Sequence, residues 1–185
     1  MEDVLKALTI WQPWASMLGC GAKLYETRGW ATKYRGPVAI HAATKDPCKL
    51  PLLGREALEQ AVREEIDAGR CPEWCFMPRG KIIAIADLVN VWHIVYNVGR
   101  HVEEVRKNPV FAESMSQNKH DPDFYDTFVP SKKELALGDW TPGRYAWEFA
   151  NVRMLPTPIP AKGQQGLWTY HGSLSLPAQA AEVLL

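Results

Sequence analysis

The chain has 185 residues, with 21 Lys plus Arg against 21 Asp plus Glu, so its formal net charge is zero. Hydrophobic residues make up 46% and charged residues 23%, the balance of an ordinary globular protein with room for a sound core. Zero net charge argues against a protein that coats duplex nucleic acid by bulk charge, but it leaves room for a local basic cleft that grips one loop, one end or one nucleotide.

In chain order, Leu5 to Trp11 reads as a short buried strand. Pro13 suits the first turn of a helix, where its missing N–H costs nothing. Trp14, Met17 and Leu18 then fall at i, i+3 and i+4, and Gly19 and Gly21 supply a stop. Leu24 to Trp30 is a strand, Tyr34-Arg35-Gly36-Pro37 a turn, and Val38 to Ala42 a second buried strand. Asp46-Pro47 has the form of a helix cap and first-turn proline. Leu58, Ala61, Val62 and Ile66 recur at helical spacing among Glu and Arg residues until Gly69, which predicts an amphipathic surface helix. Cys71 to Gly80 is a loop. Lys81 to Trp92 is the longest strand candidate and is apolar at nearly every position.

Residues 97–143 are rich in charge and turn formers, and read as an excursion with short helices. Within it, Ser131-Lys132-Lys133-Glu134 has the capping-box form, so a helical turn starts there and stops near Gly138. Tyr145 to Leu155 alternates as a strand, and Pro156, Pro158 and Pro160 are expected to break it. Leu167 to Tyr170 is a last short strand, with a loose helix after Leu176. Short strands with a few helices between them predict an α+β fold around a mixed or largely antiparallel curved sheet.

The four cysteines (Cys20, Cys48, Cys71, Cys75) are few for this length. The sequence shows no basic-then-apolar leader and no stretch near the ~18 apolar residues of a membrane span. A cytoplasmic protein with reduced thiols and no membrane association is the expectation. Cys71-x-x-x-Cys75 lacks zinc-knuckle spacing, and no His pair has ligand spacing, so the expectation is structural thiols with no metal and no cofactor, a metal site being the alternative. P-loop, Rossmann and Gly-x-Ser-x-Gly patterns are missing from the sequence.

The most informative run is Gly21-Ala22-Lys23-Leu24-Tyr25-Glu26-Thr27-Arg28, which places three charges within six residues where a helix gives way to a strand. Strand alternation puts Glu26 and Arg28 on one face and Tyr25 and Thr27 on the other. Lys23 has the parity of Tyr25, and joins the pair only through the glycine turn. Lys and Arg can donate to phosphate or a carbonyl, while Glu26 can accept from an amino group or orient a cation. A salt-bridged sheet edge is the competing reading. Around this run, Trp11, Trp14 and Trp30 could stack bases, and Gln12 and Ser16 could hydrogen-bond a base edge. Gln12 could equally cap its own helix. His41 ends an apolar strand, where a structural role is commoner. Lys162-Gly163-Gln164-Gln165-Gly166 offers backbone N–H groups, or is a plain turn.

The form Gly-x-Lys-x-x-Glu-x-Arg resembles the signature of the ASCH domain family. The opening Leu8-Thr-Ile-Trp-Gln-Pro-Trp-Ala-Ser-Met-Leu18 is similar to that family's first strand and helix. Tyr34-Arg-Gly-Pro-Val-Ala-Ile-His41-Ala resembles its next strand pair, and Pro158-Ile-Pro-Ala-Lys-Gly-Gln-Gln-Gly-Leu-Trp168 its close. The resemblance covers residues 5–45 well and 144–170 fairly. It implies a single domain over 1–185 with an atypical excursion at about 97–143, folded as a PUA-like curved mixed β-barrel of about five or six strands flanked by helices.

The resemblance further implies a module that binds RNA or a nucleotide, holding a single-stranded segment or modified nucleotide in the motif cleft. Ligand contacts would come from Lys23, Glu26 and Arg28, with Gln12, Trp14, Ser16, Trp30, His41, Gln164 and Gln165 around them. Some members of the family are amidohydrolases that deacylate N4-acylated cytidine with a lysine, a threonine nucleophile and a glutamate. Here Lys23 matches, but Glu26 occupies the threonine's place. Metal-independent ribonuclease action is a further alternative. If the protein is an enzyme, Lys23, Glu26 and Tyr25 are the best catalytic candidates. A protein-interaction domain in transcription or RNA processing, using the 97–143 region, is the remaining alternative.

Overall fold

The computed structural model describes residues 3–49, 55–96, 110–114 and 127–174. Much of the 97–143 excursion and the predicted C-terminal helix lie outside them. The described strands are β1 (Asp3–Ile10), β2 (Tyr25–Arg28), β3 (Gly36–Ala42), β4 (Lys81–Tyr96), β5 (Val110–Ser114), β6 (Thr127–Phe128), β7 (Tyr145–Pro160) and β8 (Leu167–Gly172). The described helices are α1 (Trp14–Gly19), α2 (Glu56–Asp67) and α3 (Lys132–Leu137). Pro47–Lys49 and Trp74–Phe76 form single 3-10 turns.

The sheet runs β2-β7-β4-β3-β1-β8, with β5 added to β4 and β6 to β5. β1 and β3 are parallel, with Lys6 opposite Val38 and Ile10 opposite Ala42. β1 is antiparallel to β8, and β2 to β7. This is the α+β class with a mixed sheet that the sequence predicts, with six strands on the principal path.

Two compact units make up the chain: Met1–Lys23 with Pro37–Asp87 and Asn151–Leu185, and Leu24–Gly36 with Leu88–Ala150. In the first, Ala7, Ala39, Ile82, Ile85, Leu155 and Trp168 form a buried cluster, flanked by Leu5, Ile159 and Tyr170. Each fully buried large apolar side chain contributes roughly 1.5–3 kcal/mol. In the second, Ile94, Trp140 and Ala146 pack with Tyr25, Trp92, Phe128 and Leu135. Tyr25 stacks on Phe128 at 4.6 Å and meets Trp140 edge-on at 5.9 Å.

Three sequence expectations change. The prolines do not end β7, which continues to Pro160. β2 covers only Tyr145 to Glu148 of its length, and prolines at every second position lose their N–H on one edge alone, so an uncovered edge accepts them. On α2, the buried positions are Leu58, Ala61, Val62 and Glu65, whereas Ile66 is only half-buried. Arg70 compensates the buried carboxylate of Glu65 with an ion pair of 2.5 Å. Finally, the thiols are not all reduced: Cys48 and Cys75 form a disulfide, with Cα atoms 5.7 Å apart. The 27-residue separation hides this pairing from a reading of local spacing.

Candidate nucleic-acid interface

The motif begins at the end of α1. Gln12 caps this helix: its Oε1 accepts the Ser16 N–H at 3.0 Å, while its Nε2 donates to the Pro78 carbonyl at 2.8 Å. Both ends of the buried amide are therefore engaged, and Ser16 is buried beside it. After α1 the chain tightens around one carbonyl. Ala22 N–H and Lys23 N–H both donate to Met17 O, at 2.9 and 3.0 Å. Gly21 sits at φ +77°, the left-handed conformation that lets the chain turn there. The turn leaves Lys23 with no solvent exposure.

Lys23 ends its segment of the first unit, and Leu24 opens the second. Leu24 N–H donates to Glu134 Oε1 at 2.7 Å. Glu134 is the last residue of the predicted capping box, and its own N–H donates to Ser131 Oγ at 3.1 Å. Its carboxylate thus serves the entry to β2. Along β2 the side chains alternate. On one face Glu26 pairs with Arg28 at 3.2 Å, their side chains 11% and 25% exposed. On the other, Thr27 Oγ1 accepts the Asp139 N–H at 2.9 Å, and Tyr25 enters the aromatic cluster. Burial, with the carboxylates of Glu148 and Glu134, pushes the Tyr25 phenol up to about 12, so it stays protonated at neutral pH. Just beyond β2, Trp30 is 38% exposed and meets Trp147 edge-on at 4.5 Å, while Trp147 Nε1 donates to the Trp30 carbonyl at 3.1 Å.

In the first unit, Trp11 is half exposed and Lys45 Nζ lies 3.7 Å from its ring centre. Arg55 stands over the half-buried Trp14 at 5.8 Å. Sequence reading selects both indoles but misses both cations. The signal for Lys45 is the strand register: Ile10 pairs with Ala42, and Ala43 N–H bonds Ile10 O, so the residues after both strand ends emerge side by side. Arg55 has no comparable signal.

His41 is buried. Its Nε2 lies 3.0 Å from the Ala161 carbonyl, so this nitrogen carries the proton and the ring is the Nε2–H tautomer. Burial lowers its pKa. Trp168 crosses it edge-on at 5.8 Å and donates through Nε1 to Thr9 Oγ1 at 3.1 Å. A Cβ on Gly163 would stand 2.7 Å from His41 Nδ1 and 2.9 Å from Thr9 Oγ1. The 161–166 turn therefore closes over the imidazole, while Gln164 and Gln165 at its tip are exposed. No cluster of three or more His, Cys, Asp or Glu suited to a metal occurs among the described residues.

A family model for the ASCH domain matches residues 8–158. The chain belongs to the ASCH domain family. The match begins in β1, takes in the whole motif and ends within β7, so this ASCH domain also spans the 97–143 excursion. Its mixed α+β sheet has the PUA-like fold that the family implies. No curated protein matches the chain. No helix among the described residues is long and apolar enough to cross a membrane.

Proposed function

We propose that this ASCH domain binds RNA, or a nucleotide, through the charged run at Lys23, Glu26 and Arg28. One observation carries the reading: a run of six residues withdraws three ionisable groups from water. Lys23 is fully buried, Glu26 is 8% exposed and the Arg28 side chain 25% exposed. Removing charges from water opposes folding, and a buried ion pair seldom returns more than its desolvation cost, so stability alone does not account for such a run. Charge held out of water at a cost to folding supports a ligand-meeting role for the run. Arg28 supplies donors for phosphate or a base carbonyl, and Glu26 orients them.

Exposed indoles strengthen the case for unpaired bases. Trp11 and Trp30, both partly exposed, are the indoles on which single-stranded bases would stack, each worth about 1–3 kcal/mol. Trp14, Ser16, Gln12, His41, Gln164 and Gln165 are further proposed contacts, all within the first unit. Gln12 and His41 act there by holding α1 and the 161–166 turn in place. Zero net charge fits recognition of one looped or single-stranded segment better than coating of a duplex. Action in the cytoplasm belongs to the same reading, and there the Cys48–Cys75 bridge is the bond a reducing pool would open.

Hydrolysis has less support. Thr27, the hydroxyl nearest the place of the amidase threonine, accepts a backbone N–H on the face opposite Glu26. Tyr25 shares that opposite face and stays protonated.

The test is fluorescence anisotropy with a labelled single-stranded RNA, at fixed salt, on the parent protein and on Arg28→Ala, Lys23→Ala and Trp11→Ala. Circular dichroism checks that each variant folds. Arg28→Ala and Trp11→Ala should each weaken binding about tenfold, the equivalent of ~1.4 kcal/mol. Unchanged affinity in folded Arg28→Ala and Lys23→Ala proteins would sink the proposal.

A further inference from the structure

Behind the motif turn lies a pair of sulfurs. Cys20 caps the C-terminus of α1, and Cys71 follows the end of α2 by four residues. Their Sγ atoms are 3.2 Å apart, too close for two unrelated thiols, yet not bonded. Cys71 is buried, and its sulfur also lies 3.9 Å from Met17 Sδ. Cys20 is half-buried, the less enclosed residue of the pair.

We propose that Cys20 and Cys71 form a peroxide-reactive dithiol site that closes to an intramolecular disulfide. The Cys20 thiolate attacks the outer oxygen of a hydroperoxide, the O–O bond breaks, and the leaving alkoxide or hydroxide takes up a proton. Cys20 is then a sulfenic acid. Cys71, deprotonating as it reacts, attacks the Cys20 sulfur; the S–O bond breaks and water leaves. Across both steps two thiols lose two electrons and two protons, and an organic hydroperoxide becomes one alcohol and one water, or hydrogen peroxide two waters.

The surroundings assign these roles. The contact between the two sulfurs brings the Cys20 thiol down to about 7, against the opposing effects of burial and the Glu65 carboxylate. The same contact, with burial and Glu65, pushes the Cys71 thiol up, while Arg70 pulls modestly the other way. The less enclosed cysteine is thus the nucleophile and the buried one the resolving partner. Glu65 and Arg70, joined at 2.5 Å, are the charged groups from α2 and its following turn that face the pair.

The site lies three residues before Lys23. Cys20 Sγ donates to Met17 O at 3.4 Å, the carbonyl that also receives the Ala22 and Lys23 N–H groups. Closing the bridge withdraws that donor and ties the end of α1 to Cys71 covalently. None of this depends on which ligand the motif takes.

The experiment is thiol counting and peptide mapping of the full-length protein, with the Cys48–Cys75 bond intact, before and after one equivalent of hydrogen peroxide. Two alkylatable thiols should fall to none, with a crosslinked peptide pair containing Cys20 and Cys71 that is two hydrogens lighter than the reduced pair. Cys71→Ser should leave Cys20 as a sulfenic acid that dimedone captures, and Cys20→Ser should leave Cys71 unreacted. If either variant fails to fold, the wild-type map decides alone. Two thiols persisting after peroxide would overturn the proposal, as would a Cys20–Cys20 dimer between two chains or exchange with Cys48 or Cys75.

Discussion

Replacing Gly138 by alanine probes how tightly the second unit is built, because its backbone is ordinary and only space forbids a side chain. The residue follows α3 with φ −138° and ψ 163°, an extended conformation open to any residue. A Cβ there would lie 2.7 Å from Trp140 Nε1 and 3.2 Å from Thr27 Cγ2. Neither neighbour can yield cheaply. Trp140 is 5% exposed and its Nε1 donates to the Glu134 carbonyl at 2.7 Å, while Thr27 holds the Asp139 N–H. Overpacking costs about 1–3 kcal/mol, and losing the indole bond with a buried carbonyl left behind adds about 1–3 kcal/mol more. The expected sum is about 2–6 kcal/mol, or a fall in Tm of roughly 4–24 °C for a chain of this size. Thermal and urea unfolding of Gly138→Ala measure it. Adding Trp140→Phe removes the clashing nitrogen, so the double variant should lose less than the sum of the two singles. A Tm within about 2 °C of the parent, or strict additivity, would refute the steric account.

His41 makes a pH signature. Its folded pKa lies below the ordinary 6.5 because burial disfavours the imidazolium, so below pH ~6.5 the unfolded chain binds more protons than the folded one. That stability is fully present above pH ~6.5 and lost as pH falls towards the folded pKa, at up to about 1.4 kcal/mol per pH unit. Urea midpoints between pH 5 and 8 should show it, and His41→Asn should flatten the slope relative to the parent. Ser131→Ala removes the oxygen that accepts the Glu134 N–H and should cost about 1 kcal/mol by urea unfolding. Trp147→Ala empties the site of a fully buried indole and should cost about 3–5 kcal/mol in the same assay, while Phe in its place recovers most of the loss.

Local chemistry made much of this molecule legible in the sequence. β1, α1, β2 and β3 fall where apolar period, Pro13 and the glycines put them, and Ser131 caps α3 as its spacing predicts. Strand parity separates Glu26 and Arg28 from Tyr25 and Thr27, and the ion pair and the aromatic cluster fall on those separate faces. What escaped depends on partners distant in sequence. The Cys48–Cys75 bridge, the Cys20–Cys71 contact and the burial of Glu65 under Arg70 each need the chain to return after α2. The persistence of β7 through three prolines likewise depends on which edge its neighbours leave uncovered, a property of the sheet and not of the proline.

The two compact units are interleaved along the gene. The first is assembled from three stretches and the second from two, with crossings near residues 23, 36, 87 and 150. No single cut yields either unit as a contiguous polypeptide. The first crossing falls inside the Lys23–Arg28 run, so any fragment that holds the whole run carries sequence from both units.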